Sequence, residues 1–174
     1  MSFVGSPSKE AFGIGVAQFQ EISDQESKIQ RKHCFIMGTR RKGRELALQA
    51  LYQIEITGDA SIAAVELFLS HFEGSAEAKE FARRLVSGVV SQRAEIDRLI
   101  QQCADHWKLM RMAKVDLVIL RMASYELVFC PDIPLNVSLD EAIEIGKRFG
   151  TDDSANFING VLDQVAHSSG AKLQ

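Results

Sequence analysis

Residues 116–129 read DLVILRMASYELVF, and their apolar side chains cover most of the circumference of a helix. A helix that is apolar on all sides is buried among other helices, so this run predicts a central helix from about Lys114 to Phe129. Arg121 and Glu126 interrupt the run, and an unpaired charge in a protein interior is very costly. We therefore expect both residues to form ion pairs with neighbouring helices rather than to serve in catalysis.

Three helices are predicted on the N-terminal side of this central helix. The first starts at Thr39, a candidate N-cap, and ends at Gly58. The second runs from about Ser61 to Phe72, and the third is one long helix from about Glu77 to Cys103. Their apolar residues recur at the i, i+3, i+4, i+7 spacing of a buried helix face. In the first helix this stripe consists of Ala47, Ala50, Leu51 and Ile54, widened by Leu48 and Tyr52.

Two prolines separate the central helix from the next one. Pro131 and Pro134 predict an extended connection, because neither proline nor the residue before it favours a helix interior. The next helix is expected from about Leu139 to Phe149, and Gly150 is well placed to end it.

The last helix opens in the sequence TDDSANF at residues 151–157, where Asp152 or Asp153 can cap the first turn. Its apolar residues keep helical spacing to the end of the pattern. These residues are Ile158, Val161, Leu162 and Val165. No stretch has a convincing strand pattern, so the predicted fold class is all-α, with about six to seven helices.

The domain organisation follows from length and local composition. The chain has 174 residues, which is typical of one domain with a tail. Residues 1–36 mix Gly, Ser and polar residues with little periodicity, and we expect a disordered or loosely helical N-terminal extension. Residues 37–170 are predicted to form the helical domain, and Met37 is a candidate for the natural start.

The residues that usually carry catalysis or bind metals are scattered. Three cysteines without a CxxC pair predict neither a disulfide framework nor a zinc module. The four histidines lie far apart, and no P-loop, GxSxG or HExxH motif occurs. We therefore expect no metal, no cofactor and no enzymatic activity. No run approaches the roughly 18 apolar residues of a membrane span, and no secretion signal is visible, so the expected location is the cytoplasm.

Four cations crowd the start of the first helix, in the sequence RRKGR at residues 40–44. The positive pole of the helix dipole makes each cation there unfavourable by about 0.3–1 kcal/mol, so their placement predicts a role other than stability. Residues 28–44 hold seven of the chain's 20 Lys and Arg residues and no Asp or Glu. A basic arm on an otherwise acidic chain is typical of a protein that binds a polyanion. On charge alone, a solubilising tail is the alternative.

Three segments together resemble the NusB family of bacterial transcription antitermination factors. They are RRKGRELALQALYQ (residues 40–53), VDLVILRMASYEL (115–127) and DIPLNVSLDEAIEIGKRFGTDDSANFINGVLDQVA (132–166). The resemblance implies an all-helical fold of two small packed bundles and a protein that is not an enzyme. It further implies binding to single-stranded boxA RNA together with the ribosomal protein NusE, within the antitermination complex of RNA polymerase on ribosomal RNA operons. Members of the family occur as monomers and as homodimers.

The same resemblance nominates RNA-binding residues. The arginine-rich start of the family falls on residues 40–44, which implies contacts to phosphates and base edges by Arg40, Arg41, Lys42 and Arg44. Lys42 lacks the two-point geometry of arginine and is expected to contact phosphate. Asp153 and Phe157 match the family's stretch near the RNA. Phe157 lies off the apolar stripe of its helix and is expected to stack on a base, whereas Asp153 is expected to shape the surface as a cap. Ala155 and Asn156 depart from the family pattern here.

Tyr52 and Asp116 match family positions that face NusE, and an aromatic ring beside an acid suits a basic partner. Ordinary core packing is the alternative for Tyr52, and a solvated first turn is the alternative for the arginine-rich start.

Two other functions stay open at this point. A NusB-like domain also occurs at the front of ribosomal RNA cytosine methyltransferases, although the chain leaves no room for a cofactor-binding α/β domain after its last predicted helix. A protein-interaction scaffold with an incidental basic arm is the third hypothesis.

Overall fold

The computed structural model describes residues 38–104 and 107–169. Within these ranges the chain forms seven α-helices and no strand, which confirms the predicted all-α class. The helices are α1 (38–57), α2 (Ile62–Ser70), α3 (Ala76–Ser91), α4 (Arg93–Cys103), α5 (Lys114–Phe129), α6 (Leu135–Phe149) and α7 (Ser154–Ser168), with a short 3₁₀ helix at Leu109–Arg111. The prediction for residues 1–36 and the candidate start at Met37 lie outside the described residues. None of the described helices is long and apolar enough to cross a membrane.

Helix α5 occupies the centre of the fold, as its sequence predicts. It packs against α3, α4, α6 and α7, and its residues 117–120 are all at least 97% buried. The buried side chains of all seven helices belong to one connected core. The two bundles implied by the family resemblance would therefore share a single apolar interior.

The two charges inside α5 are both paired, as predicted. Arg121 donates hydrogen bonds to Asp97 on α4 and to Glu55 on α1, with N–O distances of 2.7 and 2.8 Å. Glu126 accepts two hydrogen bonds from Arg44 on α1. Each pair therefore links α5 to a neighbouring helix.

The predicted long helix from Glu77 to Cys103 is wrong, because the chain bends at Gln92 into α3 and α4. Gln92 has φ −103° and ψ 12°, outside the helical range, although its amide still donates to the Gly88 carbonyl at 3.0 Å. No Gly or Pro stands at the bend, so the sequence carries no signal for it. The bend allows the apolar faces of both α3 and α4 to pack on α5.

Helix α6 begins at Leu135, four residues before the predicted start. The Pro134 carbonyl accepts hydrogen bonds from the amides of Val137 and Ser138 at 3.0 and 3.2 Å, which makes the proline part of the helix start. Proline interrupts a helix interior but is compatible with a first turn, where its missing N–H has no partner to lose. The predicted extended connection is also wrong, because the Ile133 amide donates to the Cys130 carbonyl at 3.0 Å and closes a tight turn around Pro131 and Asp132.

Both predicted N-caps are wrong in detail. Residue 38 is already helical, so Thr39 lies inside α1 rather than at its cap. Asp153 occupies the cap position of α7, but its side chain makes no capping hydrogen bond. Instead, the Ser154 hydroxyl accepts a hydrogen bond from the Thr151 amide at 2.8 Å and holds the turn that precedes α7.

Candidate nucleic-acid interface

Arg44 is buried, although the sequence nominates it for RNA contact. Its side chain is 3% exposed, and its Nε and Nη2 atoms donate to the two carboxylate oxygens of Glu126 at 2.8 and 2.9 Å. The Ser138 hydroxyl donates to the same carboxylate at 2.9 Å. These bonds join α1, α5 and α6, and they argue against a direct contact between Arg44 and a phosphate.

Arg41 is half exposed and is held at its base by Glu141 of α6. Its Nε lies 3.1 Å from Oε1 and 3.0 Å from Oε2 of Glu141, and its Nη2 donates to Oε1 at 2.5 Å. These hydrogen bonds from the guanidinium to Glu141 raise the pKa of Arg41 above its ordinary value. A guanidinium has five N–H donors, and Nη1 of Arg41 makes no hydrogen bond to a described residue. Arg41 is therefore positioned by the fold with donors left for a ligand.

Arg40 and Lys42 are held more loosely than Arg41. Arg40 Nη2 lies 3.8 Å from Asp132, and its guanidinium lies 5.4 Å from the centre of the Phe81 ring. Lys42 Nζ lies 4.0 Å from Glu45, at the limit of an ion pair. Both side chains are more than one third exposed, so solvent or an anion can reach them.

The protein's own carboxylates account for the cations at the start of α1. We expected an external polyanion to offset their unfavourable position at the helix dipole, but each of the four has an internal acidic partner. The partners are Asp132 for Arg40, Glu141 for Arg41, Glu45 for Lys42 and Glu126 for Arg44. The fold therefore explains the placement of these cations. Their relevance to RNA binding depends on how far the side chains of Arg40, Arg41 and Lys42 are exposed.

A groove of about 210 Å³ runs beside Arg41, between α1 and the C-terminal half of α6. Its lining consists of Arg41, Glu45, Glu144, Ile145, Lys147 and Arg148. The side chains of Lys147 and Arg148 are 58% and 65% exposed. Sequence analysis did not single them out, because Lys and Arg in the last turn of a helix are ordinary partners of the helix dipole. Their proximity to Arg41 depends on how α1 and α6 pack.

Acidic residues of this groove form ion pairs with Lys147 and Arg148. Arg148 forms an ion pair with Glu45 of α1, and its guanidinium lies 5.1 Å from the centre of the Phe149 ring. Lys147 Nζ lies 2.7 Å from Glu144 one turn earlier on α6. The Lys147–Glu144 pair is exposed on both sides, and pairs of this kind contribute only about 0–1 kcal/mol, so a phosphate group can compete with Glu144 for Lys147.

Phe157 lies in the first turns of α7 and is half buried, which agrees with its expected partial exposure. Its ring meets the ring of Trp107 edge to face, with 5.6 Å between centroids and 63° between planes. Trp107 is 52% exposed, and sequence analysis missed it. The available signal was the segment WKLMR at residues 107–111, which places an aromatic ring next to cations.

The end of α6 links the basic start of α1 to the start of α7. The Arg148–Glu45 pair attaches the last turn of α6 to α1, and the chain then turns at Gly150 into α7. A Cβ atom at Gly150 would lie 2.5 Å from the Cβ of Ser154, so only glycine fits this turn. Asp153, exposed and without a capping bond, lies between this turn and Phe157.

The two nominated partner-binding residues differ in exposure. Tyr52 is 39% exposed, which argues against the core-packing alternative. Asp116 is 7% exposed, and its Oδ1 atom is buried without a hydrogen-bond partner among the described residues. Such an orphaned acceptor is costly in a folded protein, and as a buried atom it is closed to a donor on another molecule in this structure.

An ion-pair network holds the surface between these two residues. Glu55 lies one turn after Tyr52 on α1 and accepts hydrogen bonds from Lys114 at 2.9 Å and from Arg121 at 2.8 Å. Burial favours a higher pKa for Glu55, but the bonds from Lys114 and Arg121 outweigh it and leave the pKa below its ordinary value. Glu55 is therefore ionised near neutral pH and ties α1 to the N-terminal turn of α5. Among the described residues, no group of His, Cys, Asp or Glu is arranged to hold a metal ion.

Comparison with known proteins identifies the relatives of this chain. The family model described as the NusB family matches residues 41–167. The transcription antitermination protein NusB of Geobacter sulfurreducens is 52% identical over 131 residues, which cover 75% of this chain and 95% of the relative. The protein of the same name from Desulfatibacillum aliphaticivorans is 49% identical over 129 residues, which cover 74% of this chain and 90% of the relative.

Solved structures give the same result for the fold. T. maritima NusB is 40% identical, with a TM-score of 0.67, and the match covers 74% of this chain and 90% of that one. A structure of the antitermination factors NusB and NusE in complex with double-stranded RNA is 22% identical, with a TM-score of 0.68, and the match covers 76% and 98% of the two chains. At that identity, the likeness shows the fold alone.

Proposed function

The chain belongs to the NusB family of transcription antitermination proteins, and we propose that it acts by binding single-stranded boxA RNA together with the ribosomal protein NusE. In this role it joins the antitermination complex of RNA polymerase and promotes processive transcription of ribosomal RNA operons in the cytoplasm. No catalytic step is involved. The observation that supports RNA binding best is the groove beside Arg41, where three exposed cations from α1 and α6 come together.

The cations near the groove are of two kinds: five have exposed side chains, and one, Arg44, is buried. Arg40, Arg41 and Lys42 are exposed enough to contact the RNA backbone, and Lys147 and Arg148 extend the same surface along α6. Phosphate contacts orient RNA on a protein without reading its sequence. We assign these five residues to phosphate binding, with base contacts by the arginines Arg40 and Arg41.

Arg44 has a positioning role in this proposal. Its buried pair with Glu126 holds the first turns of α1 against α5 and α6. Arg41 and Lys42 precede it in the same turn, so the pair fixes where their side chains emerge. Asp153 and Phe157 complete the interface at the start of α7, Asp153 by shaping the surface and Phe157 by stacking on a base.

NusE is proposed to bind at the end of α1 and the start of α5, where Tyr52 and Asp116 lie. Tyrosine is enriched at the energetic centres of protein interfaces. Asp116, in the first turn of α5, would contribute an acidic group to a surface that suits that basic partner. Self-association into a homodimer remains a prediction from the family resemblance.

The salt dependence of RNA binding tests the proposed interface. For single-stranded RNA, each engaged phosphate lowers log K by about 0.7 for each tenfold rise in salt. The triple variant Arg41→Ala, Lys42→Ala, Lys147→Ala should therefore flatten the slope by about two units, measured with labelled boxA RNA and the NusE complex. These three changes leave each buried carboxylate with a cation, because Glu45 keeps Arg148 and Glu141 keeps Arg44.

A matched control carries the same loss of charge elsewhere. Lys79→Ala, Arg83→Ala and Arg98→Ala remove three cations from α3 and α4 and should leave the slope unchanged. An equal slope in the test variant, the control and the unchanged protein would remove the groove from the interface. Absence of RNA binding with and without NusE would support the scaffold hypothesis instead.

A further inference from the structure

Trp107 is the only tryptophan of the chain, and it is one of the exposed large apolar side chains among the residues that the structure describes. Half of its surface is open to solvent, and its ring meets Phe157 edge to face at 5.6 Å. In an edge-to-face pair the edge of one ring contacts one face of the other ring, so the pair itself leaves the remaining ring faces uncovered. The pair therefore presents an open aromatic face next to the residue already assigned to base stacking.

The backbone around Trp107 is fixed by α4. Its amide donates to the Ala104 carbonyl at 2.9 Å, and its carbonyl accepts a hydrogen bond from the Gln101 side chain at 3.1 Å. The same Gln101 side chain accepts a hydrogen bond from the Leu109 amide at 3.3 Å. These bonds hold the backbone of Trp107 and Leu109 against the C-terminal turns of α4. A ring that is already held in place loses little conformational freedom when it binds.

The charge of the segment favours an anionic ligand. Lys108 and Arg111 are exposed and form no ion pair with a described residue, in contrast to the cations at the start of α1. Met110, between them, is 94% exposed. Proteins that bind single-stranded nucleic acid combine exposed aromatic rings, on which bases stack, with nearby cations that contact phosphates.

We propose that Trp107 extends the base-binding site at Phe157, so that a further unpaired RNA base stacks on Trp107 while Lys108 and Arg111 contact the adjacent phosphates. This inference rests on the proposed function, because it extends the path of the same RNA from the start of α7 onto the loop between α4 and α5. It adds residues that the arginine-rich start does not include. It also requires a single-stranded ligand, since the bases of a duplex are already stacked on one another.

Intrinsic fluorescence tests this site directly, because Trp107 is the only tryptophan of the chain. The full chain is titrated with boxA RNA, then with the same RNA annealed to its complement, and binding is followed independently by the anisotropy of labelled RNA. We expect the single strand to quench Trp107 emission and the duplex to leave it unchanged. Adding NusE should keep the quenching by RNA, once the emission of a Trp107→Phe complex is subtracted.

Two sets of variants separate stacking from charge. Trp107→Ala should weaken binding by roughly five- to a hundredfold without changing the salt slope, whereas Trp107→Phe should retain most of the affinity. Lys108→Ala with Arg111→Ala should flatten the slope by about 1.4 units, since each cation engages one phosphate. Thermal unfolding of every variant, followed by circular dichroism, checks that the helices remain intact. The fluorescence quenching is measured on the unchanged protein, so that test does not depend on how any variant folds.

Three results would overturn the proposal. If RNA binds by anisotropy while Trp107 emission and the affinity of Trp107→Ala stay unchanged, the site is wrong but the proposed function stands. If no RNA binds under any condition, the proposed function fails and this site fails with it. If NusE alone changes Trp107 emission and RNA adds nothing, the patch is a protein interface.

Discussion

Arg44 and Glu126 form a two-point ion pair in the interior of the protein, with N–O distances of 2.8 and 2.9 Å and side chains that are 3% and 2% exposed. The two residues are 82 positions apart in sequence. Their pair joins the first turns of α1 to the central helix α5. An arginine from a basic motif thus serves the fold, while its neighbours stay at the surface.

The first prediction concerns the energy of this pair. Arg44→Ala should lower the free energy of unfolding by about 3–5 kcal/mol, because it leaves the Glu126 charge buried without its main partner. The double variant Arg44→Met, Glu126→Leu should lose less stability than Arg44→Ala alone, because it removes both charges of the pair, and Glu141 keeps Arg41 as its partner. Urea unfolding monitored by circular dichroism measures both. An equal loss of unfolding free energy in the single and double variants would show that side-chain packing, rather than the unpaired charge of Glu126, determines the effect.

The features that sequence analysis predicted well depend on local patterns. The bounds of α5 at Lys114 and Phe129 follow from an apolar run that Pro131 ends, and the pairing of its two charges follows from the cost of burying them. The choice of partners does not follow, because Arg121 reaches Asp97 and Glu55 only after α1, α4 and α5 have packed. Local spacing contains no information on such distant contacts.

The burial of Arg44 could have been recognised. Arg44 lies three residues before Ala47 and four before Leu48, so the apolar stripe of α1 continues through it. Its charge directed the interpretation to the surface instead. The bend at Gln92 is a different case, because that position carries no glycine, proline or periodic pattern that indicates a break between two helices.

The second prediction concerns the surface proposed to bind NusE. Tyr52→Ala should weaken the binding of NusE by about tenfold or more, as expected for a tyrosine at the centre of an interface. Its effect on the free energy of unfolding should be small, because the side chain is already 39% exposed. Leu67→Ala on α2 is the matched control, since it removes a side chain that is 63% exposed and remote in sequence. Isothermal calorimetry with NusE compares the two, and an equal affinity would place the interface elsewhere.

The third prediction concerns acid stability. Asp132 accepts hydrogen bonds from Arg84, one of them at 2.8 Å, and these bonds lower the pKa of its carboxyl from 3.8 to about 2. A carboxyl whose pKa falls on folding stabilises the folded state above its unfolded pKa, and this contribution is lost as the pH falls from about 4 towards 2. Because the Asp132 side chain is 44% exposed, the contribution is expected to stay below about 1 kcal/mol.

Asp132→Asn tests this expectation. At pH 6 the variant should be slightly less stable than the unchanged protein, and the difference should shrink towards zero near pH 2. Urea unfolding at several pH values gives both stabilities. A difference that is constant from pH 6 to pH 2 would show that the charge of Asp132 does not contribute through Arg84.

The fourth prediction contrasts two glycines inside helices. A Cβ atom at Gly88 of α3 would overlap the Tyr125 ring of α5, with 2.5 Å to its Cε1 atom and still less to two others, whereas a Cβ at Gly160 of α7 would meet nothing within 4 Å. Replacing glycine with alanine inside a helix gains about 1 kcal/mol from conformational preference. Gly160→Ala should therefore stabilise the protein by about that amount. Gly88→Ala should destabilise it by about 1–3 kcal/mol, because Tyr125 must move within a packed interface.

Thermal unfolding of both variants measures the contrast, and a third variant identifies its cause. Adding Tyr125→Leu to Gly88→Ala removes the ring that the new methyl group meets, so the methyl should no longer be unfavourable when compared with Tyr125→Leu alone. If Gly88→Ala were as stabilising as Gly160→Ala, α3 and α5 would have to be farther apart than the structure places them. The close approach of these two helices at Gly88 would then be wrong, and with it the position of Arg84, one turn earlier on α3, beside Asp132.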